Sequence, residues 1–247
     1  MKRAARLVLM SLAVLGLSTS STADTFTVGS NSTVDLGTGS LALGCGSLDV
    51  VGTLSAGTVG FTQGRDVVIS PSGTLNGNSA TLQLSGDWAN TGTFNAGTSS
   101  VQMVDGCGLL SAIISGNTTF QNLSMSTASG KQVSFTAGTT QTVTGLFAAV
   151  GSLGQLLQIR STLNGSGAFL DVQGSSSTGF VDVQDNNALA GHPIDLPSNS
   201  VKGSNTPGWL FTPAIPLPPV AGVVLGLALL ALARLWLPRW RRKAVAS

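Results

Sequence analysis

Gly52-Thr53-Leu54, Gly73-Thr74-Leu75 and Gly92-Thr93-Phe94 recur along the chain, with Thr33-Val34 ahead of them, at a spacing of about 20 residues, which is the range of a chain that winds in coils. Between these landmarks lie short alternating runs, among them residues 66–70 with Val67 and Ile69, residues 80–84 with Leu82 and Leu84, and residues 100–104. Alternation of apolar and polar residues gives a strand one buried and one exposed face. Stacked at ~4.8 Å per coil, such strands form a parallel β-solenoid whose interior is filled by every second side chain.

Past Gly106 the spacing loosens but the units continue, in residues 118–125, 132–135, 141–146, 156–160 and 168–173. The alternative on the same pattern is a β-sandwich, because sandwiches also place turn signals at short, regular intervals. The segment from Val181 through Phe211 reads as a cap, with Trp209 and Phe211 as the large apolar side chains that plug the open end of the core.

The two ends of the chain have a different composition. Lys2, Arg3 and Arg6 precede an apolar run over residues 7–17, and Ser21-Thr22-Ala23 supplies small residues for cleavage, so residues 1–23 read as a secretory signal peptide. Residues 213–247 comprise a proline-rich approach, an apolar run and a basic end. From Val220 to Leu237 the apolar segment is interrupted only by Arg234. As a helix it reaches about 27 Å, enough to span a bilayer core. Trp236 and Trp240 suit the interfacial belt, Arg234 is close enough to the end to snorkel, and Arg239, Arg241, Arg242 and Lys243 form a basic stop that holds the C-terminus in the cytoplasm. Residues 24–212 are then the exported ectodomain.

Proline motif, transmembrane helix and arginine-rich end together resemble the bacterial C-terminal sorting signals of the PEP-CTERM type, which are processed by exosortase-like membrane proteases. Ala214-Ile215-Pro216-Leu217-Pro218-Pro219 lacks the glutamate of the Pro-Glu-Pro version and is closer to variants built on Pro-Leu-Pro or Ile-Pro-x-Leu. The resemblance makes Pro216, Leu217, Pro218 and Pro219 the sorting motif. It also implies passage through the inner membrane and delivery to the cell surface or extracellular matrix. Gly92 to Thr98 and Thr118 to Leu123 are similar to the Gly-Thr-Phe-Asn-Ala-Gly-Thr and Thr-Thr-Phe-x-Asn-Leu repeats of exported bacterial β-helix proteins.

Eight of the twelve basic residues lie in the two ends. The ectodomain keeps Arg65, Lys131, Arg160 and Lys202 against all ten aspartates, a net charge near −6, with no glutamate and no tyrosine. A basic footprint for nucleic acid is absent, so nucleic acid is not an expected partner. The expected partners are the membrane, a processing protease and an envelope polysaccharide.

Enzymatic chemistry on a solenoid needs clustered acids and bases. The ectodomain has one histidine, His192, beside Pro193 in a turn-rich stretch, and the aspartates that could align one coil apart are Asp66 with Asp87 or Asp105. No phosphate loop, zinc spacing or catalytic triad stands out. The expectation is a non-enzymatic structural or adhesive surface protein without a cofactor or metal, and the competing reading is a carbohydrate-active enzyme on the same scaffold. Asp182, Asp185, Asn186 and Asp195 are the oxygen donors from which a calcium site would be built. Thr25-x-Thr27, Thr91-x-Thr93 and Thr140-x-Thr142-x-Thr144 do not repeat at the coil period, which argues against an ice-binding ladder.

Cys45 and Cys107 each sit in Gly-Cys-Gly. Their separation in sequence is about three coils, or about 14 Å along the axis at the strand spacing. A bridge requires Cα atoms within ~7 Å. On that register the two are expected to be unpaired, and a bond between them would require the N-terminal part to fold back as a cap.

Overall fold

The structure, a computed structural model, describes residues 7–8 and 25–211. The rest of residues 1–24 and all of residues 212–247, including Pro216, Leu217, Pro218, Pro219, Arg239, Arg241, Arg242 and Lys243, lie outside the described residues. Among the described residues no helix is long and apolar enough to cross a membrane.

The described chain is all-β and winds through short strands into a parallel solenoid of about eight turns. Every pairing between its described strands is parallel, which excludes the β-sandwich. The first face stacks Phe26–Val28, Leu48–Val50, Val67–Ile69, Trp88–Asn90, Ser111–Ser115, Gln132–Phe135, Leu157–Ser161, Val181–Val183 and Val201–Lys202. The third stacks Ser40–Ala42, Gly60–Gly64, Thr81–Leu84, Ser100–Met103, Asn122–Ser126, Leu146–Val150 and Ser175–Gly179. Between them the second face is divided. Thr33–Asp35, Thr53–Ser55, Thr74–Asn76 and Thr93–Asn95 form one sheet, with Leu7–Val8 paired at its outer edge, and Thr118–Phe120, Thr140–Val143, Ala168–Val172 and Asn186–Asn187 form another.

The sequence landmarks are stacked on one another. Thr33 pairs with Thr53, Thr53 with Thr74 and Thr74 with Thr93, and the residue after each threonine turns inward. The preceding glycine is required by proximity: a Cβ on Gly73 would lie 2.0 Å from the Val50 carbonyl oxygen, and one on Gly92 2.2 Å from that of Ser70. Only glycine lets the chain turn the corner so close to the coil below it.

Leu54, Leu75, Phe61, Leu82, Val101, Leu123, Ile114 and Ile159 belong to one continuous apolar core. Where the second face divides, Trp88, Phe94 and Phe120 pack together, with ring centroids 4.9 Å apart for Trp88 and Phe94 and 5.2 Å for Trp88 and Phe120. The Trp88 indole N–H donates to the buried Thr118 hydroxyl at 3.2 Å, so the ring is accommodated without an unsatisfied donor.

The end of the solenoid departs from expectation. Val181–Val183 and Asn186–Asn187 are ordinary rungs of the first and second faces, so the regular coil runs further than the sequence pattern places it. The described chain finishes with Ile194–Leu196 paired to Trp209–Phe211. Trp209 is fully buried, edge-on to Phe147, with its N–H donating to Asn186 Oδ1 at 3.0 Å. Phe211 is 49% exposed, so of the two it is Trp209 that plugs the core.

Candidate functional site: a disulfide-strapped corner

Cys45 and Cys107 are bonded, with Cα atoms 5.5 Å apart, contrary to the expectation from axial spacing. That expectation fails because Cys107 leaves its coil. Val104 still donates to Leu84 O in register, but the next residues form an inserted loop closed by an antiparallel bridge between Gly106 and Leu109. Cys107 and Gly108 both adopt left-handed backbone, φ 50° and 69°, as do Gly44 and Cys45 at φ 55° and 66°. The flanking glycines therefore serve two sharp local turns. The N-terminal coil does not fold back: Cys45 N–H donates to Gln63 O on the adjacent coil. The inserted loop instead reaches back along the corner to meet it.

The strap borders a cavity of about 440 Å³ whose lining includes Gln63, Gln83, Ser85 and Asp105. A second cavity of about 420 Å³ shares Asp105 and extends to Thr127 and Gly151. Asp105 Oδ2 accepts the backbone N–H groups of Ala128 and Ser129 at 2.8 and 3.1 Å. Its Oδ1 is buried without a partner. Burial opposes ionisation of Asp105, but the Ala128 amide, the hydroxyls of Thr127 and Ser129 and the Lys131 charge outweigh it and hold the carboxyl below its ordinary value.

Lys131, which the sequence pattern did not single out, is the pin of this corner. Its side chain is fully buried, and Nζ donates to the carbonyls of Ser85 and, at 3.1 Å, Leu109. One carbonyl belongs to the coil wall and the other to the inserted loop. Burial lowers the Lys131 pKa, and the negative charges of Asp105 and Asp87 oppose that shift. Its one sequence signal is that it is a cation in residues 24–212, which hold few.

The aspartates do align near the corners, but as staples between coils. Asp66 Oδ1 accepts Asp87 N–H at 2.8 Å and its Oδ2 accepts the Ser47 hydroxyl at 3.1 Å. Asp87 Oδ1 in turn accepts Ile113 N–H at 2.7 Å, one coil further along. Asn117 and Asn122 do the same for the N–H groups of Thr140 and Leu146. Each side chain satisfies a backbone donor that the ladder leaves unpaired.

The candidate calcium donors are likewise divided. Asp182 forms an ion pair with Arg160, whose guanidinium also donates to Asp182 O. Asp185 accepts Gly165 N–H at 2.9 Å and Asn205 Nδ2 at 3.1 Å. The Gly165 hydrogen bond is the main influence holding the Asp185 carboxyl below its ordinary value, against a smaller opposing effect of burial. Asn186 receives the Trp209 indole, and the carbonyl of Asp195 receives the Thr178 hydroxyl. Among the described residues no group of three His, Cys, Asp or Glu is placed to hold a metal ion. His192 is exposed, with Nδ1 3.0 Å from Gly174 O.

The fold and its corner define a disulfide-strapped parallel β-solenoid. Comparison with protein-family models, with curated proteins and with solved structures found no match, so the function is read from these residues alone.

Proposed function

We propose that this chain is a non-enzymatic structural or adhesive protein of the bacterial cell surface or extracellular matrix. On this reading the signal peptide exports it. Pro216, Leu217, Pro218 and Pro219 then present the tail to an exosortase-like protease, while Arg239, Arg241, Arg242 and Lys243 hold it in the inner membrane until processing. The observation that carries the reading is the use of the ectodomain carboxylates: Asp66, Asp87 and Asp105 each accept backbone N–H groups across the gap between coils. A carboxylate held in this way is a structural acceptor, and glycoside hydrolysis needs two at a defined separation across a substrate. The disulfide fits the same reading, since such bonds persist in oxidising compartments.

One observation favours the carbohydrate-active alternative. Asp105 Oδ1 is buried and unpartnered beside a cavity within the size range of small-ligand sites. The experiment that separates the two incubates the full-length chain with envelope polysaccharide from its own cells. Binding or co-sedimentation without release of reducing or unsaturated ends supports the structural role. Release of new ends that Asp105→Asn abolishes overturns it.

A further inference from the structure

The sheet formed by Thr33–Asp35, Thr53–Ser55, Thr74–Asn76 and Thr93–Asn95 carries two outward columns. One is Thr33, Thr53, Thr74 and Thr93; the other is Asp35, Ser55, Asn76 and Asn95, in strict register across all three pairings. The third face, by contrast, has a register shift between Gly60–Gly64 and Thr81–Leu84. Strand spacing sets the rungs ~4.8 Å apart, and the two-residue repeat of extended chain sets the columns about 6.6 Å apart. The result is a nearly rectangular array of short polar side chains.

The columns differ in what their polar atoms do. Asn95 Nδ2 donates to Asn76 Oδ1 at 2.8 Å, Asn78 Nδ2 donates to Ser55 Oγ at 3.0 Å, and Asp35 Oδ1 accepts Gly37 N–H, so the second column is fixed from within the protein. None of the four threonine hydroxyls hydrogen-bonds to another described residue. β-branched threonine has few rotamers, so the hydroxyls and methyls are held in a repeating order before any ligand arrives. The array has one charge, Asp35, in the terminal coil. No aromatic ring projects from it, because Phe94 is turned against Trp88 and Phe120. A sugar polymer would therefore find neither a stacking platform nor a cleft here. A lattice of hydroxyl-like groups with a similar two-dimensional repeat would find its oxygens opposite a column of uncommitted hydroxyls.

We infer that this face binds ordered water, and that its ligand is the surface of ice, whose oxygen rows repeat at spacings of the same order. Scanning for Thr-x-Thr misses it because the pattern is Thr-x-Asx or Thr-x-Ser, with the apolar middle residue turned to the core. The inference is independent of how the chain is sorted or whether it acts on glycans, so either can fail without the other.

The test is inhibition of ice recrystallisation, with partition of a fluorescently labelled chain into a slowly growing ice front. It uses the full-length chain, with any detergent needed for solubility present equally in the blank. Retarded grain growth and incorporation into ice are expected. Both should be lost in Thr53→Lys/Thr74→Lys, which places long cations in the middle of the array, and kept in Gln102→Lys on the third face. Circular dichroism and an intact Cys45–Cys107 bond report that the variants are folded. Exclusion of the wild-type chain from ice, or equal loss in Gln102→Lys, overturns the inference, as does a polysaccharide affinity that Thr53→Lys/Thr74→Lys abolishes while ice growth is untouched in the wild type. The partition measurement on the wild type decides the matter even where a variant fails to fold.

Discussion

Replacing both cysteines, Cys45→Ser with Cys107→Ser, should destabilise the N-terminal half of the solenoid and spare the C-terminal half. The bond closes a loop with a sequence separation of 62. Chain-entropy theory then puts its effect on the unfolded state at about 4 kcal/mol, a large share of the ~5–15 kcal/mol by which domains are stable. In a solenoid each coil contacts only its neighbours, so the loss should be felt in the coils under the strap. Native-state amide exchange of the oxidised chain and the double variant is the assay. Protection in Leu48–Val50, Val67–Ile69 and Trp88–Asn90 should fall by several orders of magnitude, while that in Leu157–Ser161 changes little. The double variant avoids a free thiol, and reduction of the wild-type chain should reproduce its pattern. A denaturation midpoint and exchange profile the same as wild type would refute the reasoning, because the strap would then constrain nothing that unfolding releases.

Gly73→Ala should cost about 1–3 kcal/mol or more, because the new Cβ meets a backbone oxygen that cannot yield without moving a coil; denaturant titration measures it. Asp66→Ala leaves the Asp87 amide and the Ser47 hydroxyl without an acceptor and should cost about 1–3 kcal/mol in the same assay, with no change in polysaccharide binding. Asp105 and Asp185 have folded-state pKa values below the ordinary 3.8, so their stabilisation is complete above that value and is lost as pH falls through the lowered ones. Thermal melts across acid pH should therefore show a decline that sets in as pH falls through the ordinary carboxylate value, continues below it, and is shallower in Asp105→Asn. Changing Pro216, Pro218 and Pro219 to alanine should leave membrane insertion intact and block processing, so that precursor accumulates in the inner membrane; immunoblots of fractionated cells report it.

The coil was legible in the sequence because its determinants are local. A glycine that must pass a carbonyl and an apolar residue that must face the core leave the same three-letter signature on successive turns, and Thr53, Thr74 and Thr93 fall into register accordingly. Gln132–Phe135 was visible as a strand for the same reason, its alternation being complete within its own short length. The disulfide was not legible, because an axial distance holds only for residues that remain on the coil, and the loop after Val104 departs from it. The cap begins later than the sequence pattern suggests: Val181–Val183 alternates like any other rung, and only the burial of Trp209 separates plug from repeat. Lys131 could not be foreseen as a pin, since its partners are backbone carbonyls, and carbonyls leave no mark on sequence.

Export of an oxidised solenoid and its release from the C-terminal tail are tested together most directly by mass spectrometry of the chain recovered from the surface of its own cells and digested without reduction. The expected result is an N-terminus near Asp24, a cross-linked peptide pair containing Cys45 and Cys107, and no peptide from the segment after the proline motif. A chain that still begins at Met1, carries reduced cysteines and ends at Ser247 would contradict it.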